Sequence, residues 1–313
     1  MAVYVVTGGA GFIGSHIVEE LIRRNERVRV IDNFSTGKRE NIDPFRNDIE
    51  VVEADLANDQ NLARHLRGAD YVIHQAAIPS VPLSIREPVR CHQANVNGTL
   101  NVLTASVEAG VKRVVYASSS ALYGEDPELP KREDMKPSPV SPYGAQKLFG
   151  EMYCQVFTRS YGLETVSLRY FNIFGPRQDA SSQYSGVLAL FISAVLEGRR
   201  PTIFGDGNQS RDFTYVQNVV EANLLACTAP NAAGQALNVA CGISISVNTM
   251  LAEINRVTNR KIDPIYAEAR AGDIQHSHAD ITLAGKRLAY KPTISFEEGL
   301  QRTIAWYKMR LLG

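Results

Sequence analysis

A doubly wound parallel α/β sheet, with helices on both faces and a smaller C-terminal α/β unit, is the fold this sequence predicts. Three observations carry that reading. Short apolar runs alternate with helix-periodic stretches through the first half of the chain, the pattern of parallel strands joined by crossover helices. A glycine-rich turn follows the first run and an acidic residue follows the second. After Phe171 the texture changes to turn-rich segments such as Phe174-Gly-Pro-Arg177, Gly198-Arg-Arg-Pro201 and Phe204-Gly-Asp-Gly207.

Taken in order, Val3–Thr7 reads as a buried strand, and Gly8-Gly-Ala-Gly11-Phe-Ile-Gly14 as the turn after it. Ser15–Arg24 places Ile17, Val18, Leu21 and Ile22 on one helical face. Further strands are expected at Arg27–Ile31, Glu50–Glu53, Tyr71–His74, Arg113–Ser118 and Glu164–Arg169. Helices are expected at Leu62–Leu66, Ala94–Ala109 and Tyr143–Tyr161. The expected boundary lies near residue 170. Residues 1–170 form the first unit, with 213–239 returning to it, and 171–212 with 240–313 form the second. The longest apolar run, Val187–Leu196, ends at Glu197 and is too short to span a bilayer, so it reads as a core helix.

Composition narrows the function classes. The chain has 313 residues with 33 basic and 33 acidic side chains, so no charge footprint suggests nucleic acid or an anionic membrane as partner. Cys91, Cys154, Cys227 and Cys241 lack Cys-x-x-Cys spacing and read as reduced thiols of a cytoplasmic protein. The N-terminus enters a strand with no basic leader, and secretion is not expected. His276-x-His278 is a pair without a third ligand, so no metal is expected.

Two motifs carry chemistry. The glycine run reads as Gly9-x-Gly11-x-x-Gly14 or as Gly8-x-x-Gly11-x-x-Gly14, between a strand and a helix. That context lets the backbone approach a pyrophosphate at the helix N-terminus. Asp32 ends the second strand 18 residues after Gly14. Its carboxylate would accept bonds from both ribose hydroxyls and repel a 2′-phosphate, favouring NAD over NADP despite Lys38 and Arg39 nearby. The second motif is Tyr143-x-x-x-Lys147 with Ser119 24 residues upstream. Tyrosine and lysine then share a helix face one turn apart. An ammonium there would favour the phenolate, and a serine hydroxyl can bond the oxygen that the tyrosine deprotonates. Ser118 and Ser120 flank Ser119 and offer the same hydroxyl.

Together these residues resemble the extended short-chain dehydrogenase/reductase superfamily and, within it, the UDP-hexose 4-epimerases, including members acting on N-acetylated sugars. The resemblance spans essentially the whole chain. It rests on Thr7–Ser15, Asp32-Asn33, His74-Gln-Ala-Ala77, Asn95-Val-Asn-Gly-Thr99, Ser118-Ser-Ser120, Tyr143-x-x-x-Lys147, Arg169-Tyr-Phe-Asn172, Arg211-Asp-Phe213 and Arg270-Ala-Gly-Asp273. It implies a Rossmann domain, retained NAD, a UDP-sugar substrate and a homodimer.

The resemblance also implies roles. Gly8, Gly11 and Gly14 would make the turn, with Phe12 and Ile13 presenting N–H groups to the pyrophosphate. Asp32, Asn33, Phe34, Ser35, Thr36 and Gly37 would surround the adenosine ribose, and Asp55 and Leu56 the adenine. Gln75, Ala76, Ala77, Pro79 and Asn95 would line the nicotinamide side, with Ser118 beside them. Lys147 would bond the nicotinamide ribose, and Phe171 and Asn172 would stand where nicotinamide meets sugar. On the substrate side, Arg211 and Arg270 would fork the diphosphate, and Ser119 and Tyr143 would hold the sugar 4-hydroxyl. Ser80, Ser120, Gln178, Asp273, His276 and Ser277 complete the implied sugar site. Ser119 is the position that lies four residues before Tyr123-Gly124, as in the family.

Relatives that dehydrate or decarboxylate the same kind of keto sugar carry acidic residues just after the catalytic serine. Here those positions are Ser120 and Ala121, neither of which supplies an acid–base group of suitable pKa. A non-catalytic dinucleotide sensor would be expected to lose the tyrosine or the lysine, and a reductase that releases its product would favour a phosphorylated cofactor.

Overall fold

The computed structural model describes residues 1–179, 186–269 and 275–312. Its centre is a seven-stranded sheet. Six strands come from the first 170 residues: β1 (Val3–Thr7), β2 (Arg27–Asp32), β3 (Ile49–Glu53), β4 (Tyr71–His74), β5 (Arg113–Ser119) and β6 (Glu164–Tyr170). The seventh, Gln235–Val239, adds beyond β6, so that the order runs from it through β6, β5, β4, β1 and β2 to β3. Every pairing is parallel, with Val6 in register with Val30 on one side and Ile73 on the other.

Alternation along each strand feeds two cores. Val6, Ile73, Val115 and Ala117 pack on one face with the helices Phe12–Arg23 and Val216–Thr228. Val5, Val72, Val114 and Tyr116 pack on the other with Leu62–Leu66, Gly98–Ala109 and Pro142–Tyr161. The chain winds one way from β1 to β3 and the other way from β4 to β6, so the order reverses between β1 and β4. In sheets of this kind the crevice beyond the strand ends at that reversal is the binding position.

A separate apolar cluster joins the helices Val187–Leu196, Val247–Thr258 and Phe296–Leu312 around Phe174, Phe213 and Tyr215. Beside it run short strand pairs. Ser210–Arg211 is antiparallel to Ile245–Ser246, and Ile173–Phe174 is parallel to Thr214–Tyr215. Among the described residues, no helix is long and apolar enough to cross a membrane.

Two helix starts differ from the sequence reading in ways that bear on the site. The first helix begins at Phe12 rather than Ser15, because extended Gly11 sits at its N-cap and the glycine run itself turns into the helix. The helix expected from Ala94 opens with a π-helical turn over Gln93–Asn97, before regular helix from Gly98 to Ala109. Such insertions gather at functional sites, and this one carries Asn95.

Candidate active site

β5 delivers Ser119 to the carboxyl edge of the sheet. The serine is extended and caps the short turn Ser120–Tyr123, its Oγ accepting from the Ala121 N–H at 3.2 Å. Opposite, Ser141 caps the helix Pro142–Tyr161 by accepting from the Gly144 N–H at 3.1 Å, with Pro142 in the first turn. That start places Tyr143 and Lys147 one turn apart, facing β5. The Ser119 hydroxyl is near enough to the Tyr143 phenol to oppose the effect of burial on it. Lys147 is buried; its Nζ donates to the Ala117 carbonyl at 2.8 Å and stands 5.9 Å from the Tyr143 ring centroid.

The electrostatics correct one expectation. The lysine does not lower the phenol in the protein by itself: burial pushes Tyr143 up to about 12, opposed by the Ser119 hydrogen bond. Burial likewise pushes Lys147 down to about 8. Both groups are set by desolvation, which favours their neutral forms.

The neighbouring serines separate by strand alternation. Ser118, one residue before Ser119, turns to the opposite face and donates to Glu151 at 3.0 Å. Glu151 is itself paired with buried Arg169, and Arg169 also donates to the Tyr123 hydroxyl at 2.7 Å. The Ser118 side chain is therefore committed behind the site, contrary to its expected place beside the cofactor. Ser120 opens the short turn and is half-buried.

Residues present fit a dinucleotide. A Cβ on Gly14 would lie 2.1 Å from the Gly8 carbonyl oxygen, and one on Gly8 would lie 2.7 Å from the Ala76 backbone. Backbone therefore closes around this crevice as no side chain would allow. The helix from Phe12 has no side-chain cap and no acidic residue in its first turn, which leaves the N–H groups of Phe12, Ile13 and Gly14 for an anion. Asp32 is buried at the end of β2. Its Oδ2 accepts from Ala10 N–H at 2.9 Å and its Oδ1 from Phe34 N–H at 2.8 Å. It thus braces two loops, and a carboxylate has further lone pairs for a diol.

Around Asp32, Asn33 holds the Ser35 N–H and hydroxyl. Gly37 leaves room that a Cβ would fill 2.8 Å from Asp32, with Thr36 between them in sequence. Arg39 stacks 3.8 Å over the Phe34 ring and pairs with Glu53, while Lys38 pairs with Asp179 at 3.3 Å. Asp55 accepts from Ala57 N–H and the Asn58 amide, and Leu56 is buried after it.

The nicotinamide-side residues prove to be a braced wall. The Ala76 N–H donates to Thr7 Oγ1, which contacts His74 Nδ1 at 2.7 Å; His74 Nε2 contacts Thr99 Oγ1, which donates to the Asn95 carbonyl. Burial pushes His74 down to about 3, so the ring is neutral and the chain of bonds has one consistent direction, with the proton on Nε2. Asn95 clamps Ile78 through both its amide atoms and bonds Gln146 at 2.8 Å. This fixes the loop bearing Ala77 and Pro79. The Gln75 amide donates to Tyr170 and Asn223, and Ser80 caps the helix Val81–Arg86. Phe171 differs from expectation: it is fully buried among Leu122, Met135 and Ala240, because its ring completes a small core behind the site.

On the far side, Asn172 adopts the left-handed region at φ 39° and donates from Nδ2 to the Asp212 carbonyl at 3.2 Å. Arg211 donates to the carbonyls of Ser210 and Gln275, and the Ser277 N–H donates to the Ser210 carbonyl at 3.0 Å. Arg211 and Ser277 are thereby neighbours. Gln178 donates to the Ile173 carbonyl. His276 bonds Ser210 while His278 bonds the Gly242 carbonyl, so the two imidazoles serve different partners. Arg270 and Asp273 lie outside the described residues. Glu151 was not singled out from the sequence, and Thr7, Gln146 and Asp212 entered only as members of motifs with no role of their own, since each acts through partners that only the fold brings near.

This fold and site define a dinucleotide-binding α/β protein of the short-chain dehydrogenase kind, with serine, tyrosine and lysine gathered at the sheet edge. A family model described as the NAD dependent epimerase/dehydratase family matches residues 4–240. The chain belongs to that family, and its cofactor is NAD. Among solved structures, the UDP-N-acetylglucosamine 4-epimerase from Methanobrevibacter ruminantium M1, in complex with UDP-N-acetylmuramic acid, is 44% identical, with a TM-score of 0.95 and 99% of each chain covered. The UDP-glucose 4-epimerase of Thermotoga maritima with UDP-glucose is 38% identical, with a TM-score of 0.94 and 99% of each chain covered. The Thermus thermophilus UDP-glucose 4-epimerase complex with NAD is 37% identical, with a TM-score of 0.88, covering 98% of this chain and 99% of that one.

Proposed function

We propose that this protein is an isomerase that inverts C4 of a UDP-hexose through a transient 4-keto sugar. The observation that carries the reading is the meeting of Ser119 and Tyr143 at the sheet edge, with Lys147 anchored beneath them, next to a backbone cradle fitted to a dinucleotide. The absence of an acid at Ser120 and Ala121 favours epimerisation over loss of water or carbon dioxide.

Tyr143 Oη takes the proton from the sugar 4-hydroxyl, Ser119 Oγ holds that oxygen, and Tyr143 returns the proton after the keto sugar has turned its other face. Bound NAD⁺ supplies the two-electron acceptor and donor for C4, and its positive charge favours the phenolate. Lys147, anchored on Ala117, bonds the nicotinamide ribose. Phe12, Ile13 and Gly14 hold the pyrophosphate, Asp32 the adenosine ribose, and Arg211 with Arg270 the diphosphate of the sugar nucleotide. On this reading residues 1–170 with 213–239 carry the cofactor, and 171–212 with 240–313 carry the sugar nucleotide. Incubation with UDP-glucose, UDP-N-acetylglucosamine and UDP-glucuronate, with chromatography of the products and assay of NAD(H) in the denatured protein, tests the proposal. Strict dependence on NADP⁺, or NADH accumulating with turnover, would remove it.

Substrate breadth rests on Ser277, a small, half-buried residue one bond from the strand that carries Arg211. A side chain this small would leave room for an N-acetyl group at C2, so UDP-N-acetylhexosamines are expected as substrates. Ser277→Tyr should lower kcat/KM for UDP-N-acetylglucosamine by at least about tenfold relative to UDP-glucose, the scale of a pocket contact. An unchanged ratio would show that the gate lies elsewhere.

The free thiols of Cys91, Cys154, Cys227 and Cys241 fit a cytoplasmic protein. Phe149, Met152 and Val156 form an exposed apolar stripe on the helix Pro142–Tyr161, which supports a homodimer. Phe149→Glu should then yield monomer by light scattering, and a wild type that is already monomeric would refute the dimer.

A further inference from the structure

Asp212 is fully buried next to Arg211, and its carboxylate is spent on backbone from two distant segments. Oδ1 accepts from Cys241 N–H at 2.9 Å; Oδ2 accepts from Gly242 N–H at 3.0 Å and from Ala279 N–H at 3.3 Å. Its own carbonyl receives the Asn172 amide, and the Asn172 carbonyl in turn receives the Thr214 N–H. Two residues earlier the Ser210 carbonyl receives the Ser277 N–H. The carboxylate therefore ties the loop after the last sheet strand to the segment bearing Ser277, next to the strand bearing Arg211, while the backbone carbonyl of the same residue holds the left-handed turn at Asn172.

We propose that Asp212 is a positioning residue for the nucleotide-sugar site: its carboxylate fixes the spacing of Arg211 and Ser277 beside Asn172, and through Arg211 the affinity for the diphosphate portion of the substrate. The assignment of those three residues to the substrate rests on the function proposed above. Asp212 touches neither sugar nor cofactor in this arrangement. Removing one of its acceptor sites leaves a buried N–H unpaired and lets the segment of Ser277 drift from Arg211, weakening binding while Ser119, Tyr143 and Lys147 stay in place on β5 and its facing helix.

Asp212→Asn keeps the shape and exchanges one acceptor for a donor. Calorimetry with UDP should show the dissociation constant raised roughly 10-fold. The KM for the UDP-sugar should rise with it, while kcat stays within about threefold and NAD content is unchanged. If Asp212→Asn does not fold, Asp212→Glu, which keeps the charge and displaces it by one methylene, takes its place with the same readouts. Unchanged UDP affinity, or a loss of kcat and NAD in step with KM, would overturn the assignment and leave Asp212 a residue of general stability. A wild type that binds UDP yet epimerises none of the three UDP-sugars would remove the epimerase reading instead, with the UDP affinities still deciding the role of Asp212.

Discussion

Tyr143→Phe will lower turnover by about two to four orders of magnitude, the usual scale for a general base, while the protein keeps its NAD and its thermal midpoint. The variant loses only the phenol oxygen next to Ser119, and the ring keeps its place beneath the capped helix start at Ser141. Ser119→Ala should cost less, because Tyr143 still reaches the 4-hydroxyl without it. The measurement is single-turnover chemistry with UDP-glucose, alongside NAD content and calorimetric melting. Near-normal turnover in Tyr143→Phe would mean that the proton leaves by another group.

Gly14→Ala will produce a folded protein with no retained NAD and turnover at least about a hundredfold down, the cost of a displacement near 1 Å in a reacting geometry. The new Cβ would stand 2.1 Å from the Gly8 carbonyl oxygen and 2.9 Å from Gly9 Cα. All these neighbours are backbone, so no rotamer relieves the clash, and the glycine turn must open just where N–H groups converge on the pyrophosphate. Gly285→Ala is the control: its nearest neighbour would be an ordinary contact at 3.6 Å in the helix Thr282–Leu288, and it should leave NAD content and turnover unchanged. Stoichiometric NAD in Gly14→Ala would show that the turn is not the pyrophosphate cradle.

Most of the sheet was legible in the sequence because a strand buried on both faces must be apolar throughout. β1 and β4 begin and end where the apolar runs do. β2, β5 and β6 each run one residue further, to Asp32, Ser119 and Tyr170. Those polar or amphipathic ends face the crevice, where hydrophobicity stops being informative. The proximity of Tyr143 to Ser119 was legible as a motif. The high phenol pKa was not, since it depends on how deeply the helix seats the ring. Phe171 was misplaced for a related reason: a motif gives a residue's address, and the fold decides which way the ring turns. Asp212 stood within the Arg211-Asp-Phe213 motif, but its role was not legible there, because its three partners are backbone N–H groups remote in sequence.

The parity of β5 has a consequence for how the chain avoids error. Successive serines on this strand have opposite duties: Ser119 meets the phenol, while Ser118 meets the Glu151–Arg169 pair behind it. A slip that advances β5 by one residue would put Ser118 where Ser119 stands and Ala117 where Ser118 stands. It would present the wrong serine to the tyrosine and also leave a buried ion pair without its hydroxyl partner. Losing a hydrogen bond to a buried charged group costs about 1.5–3 kcal/mol, a sizeable part of a domain's whole stability. The ion pair thus acts as a proofreader of alignment, and a chain that is one step out of phase is rejected as a fold before it can be tested as an enzyme.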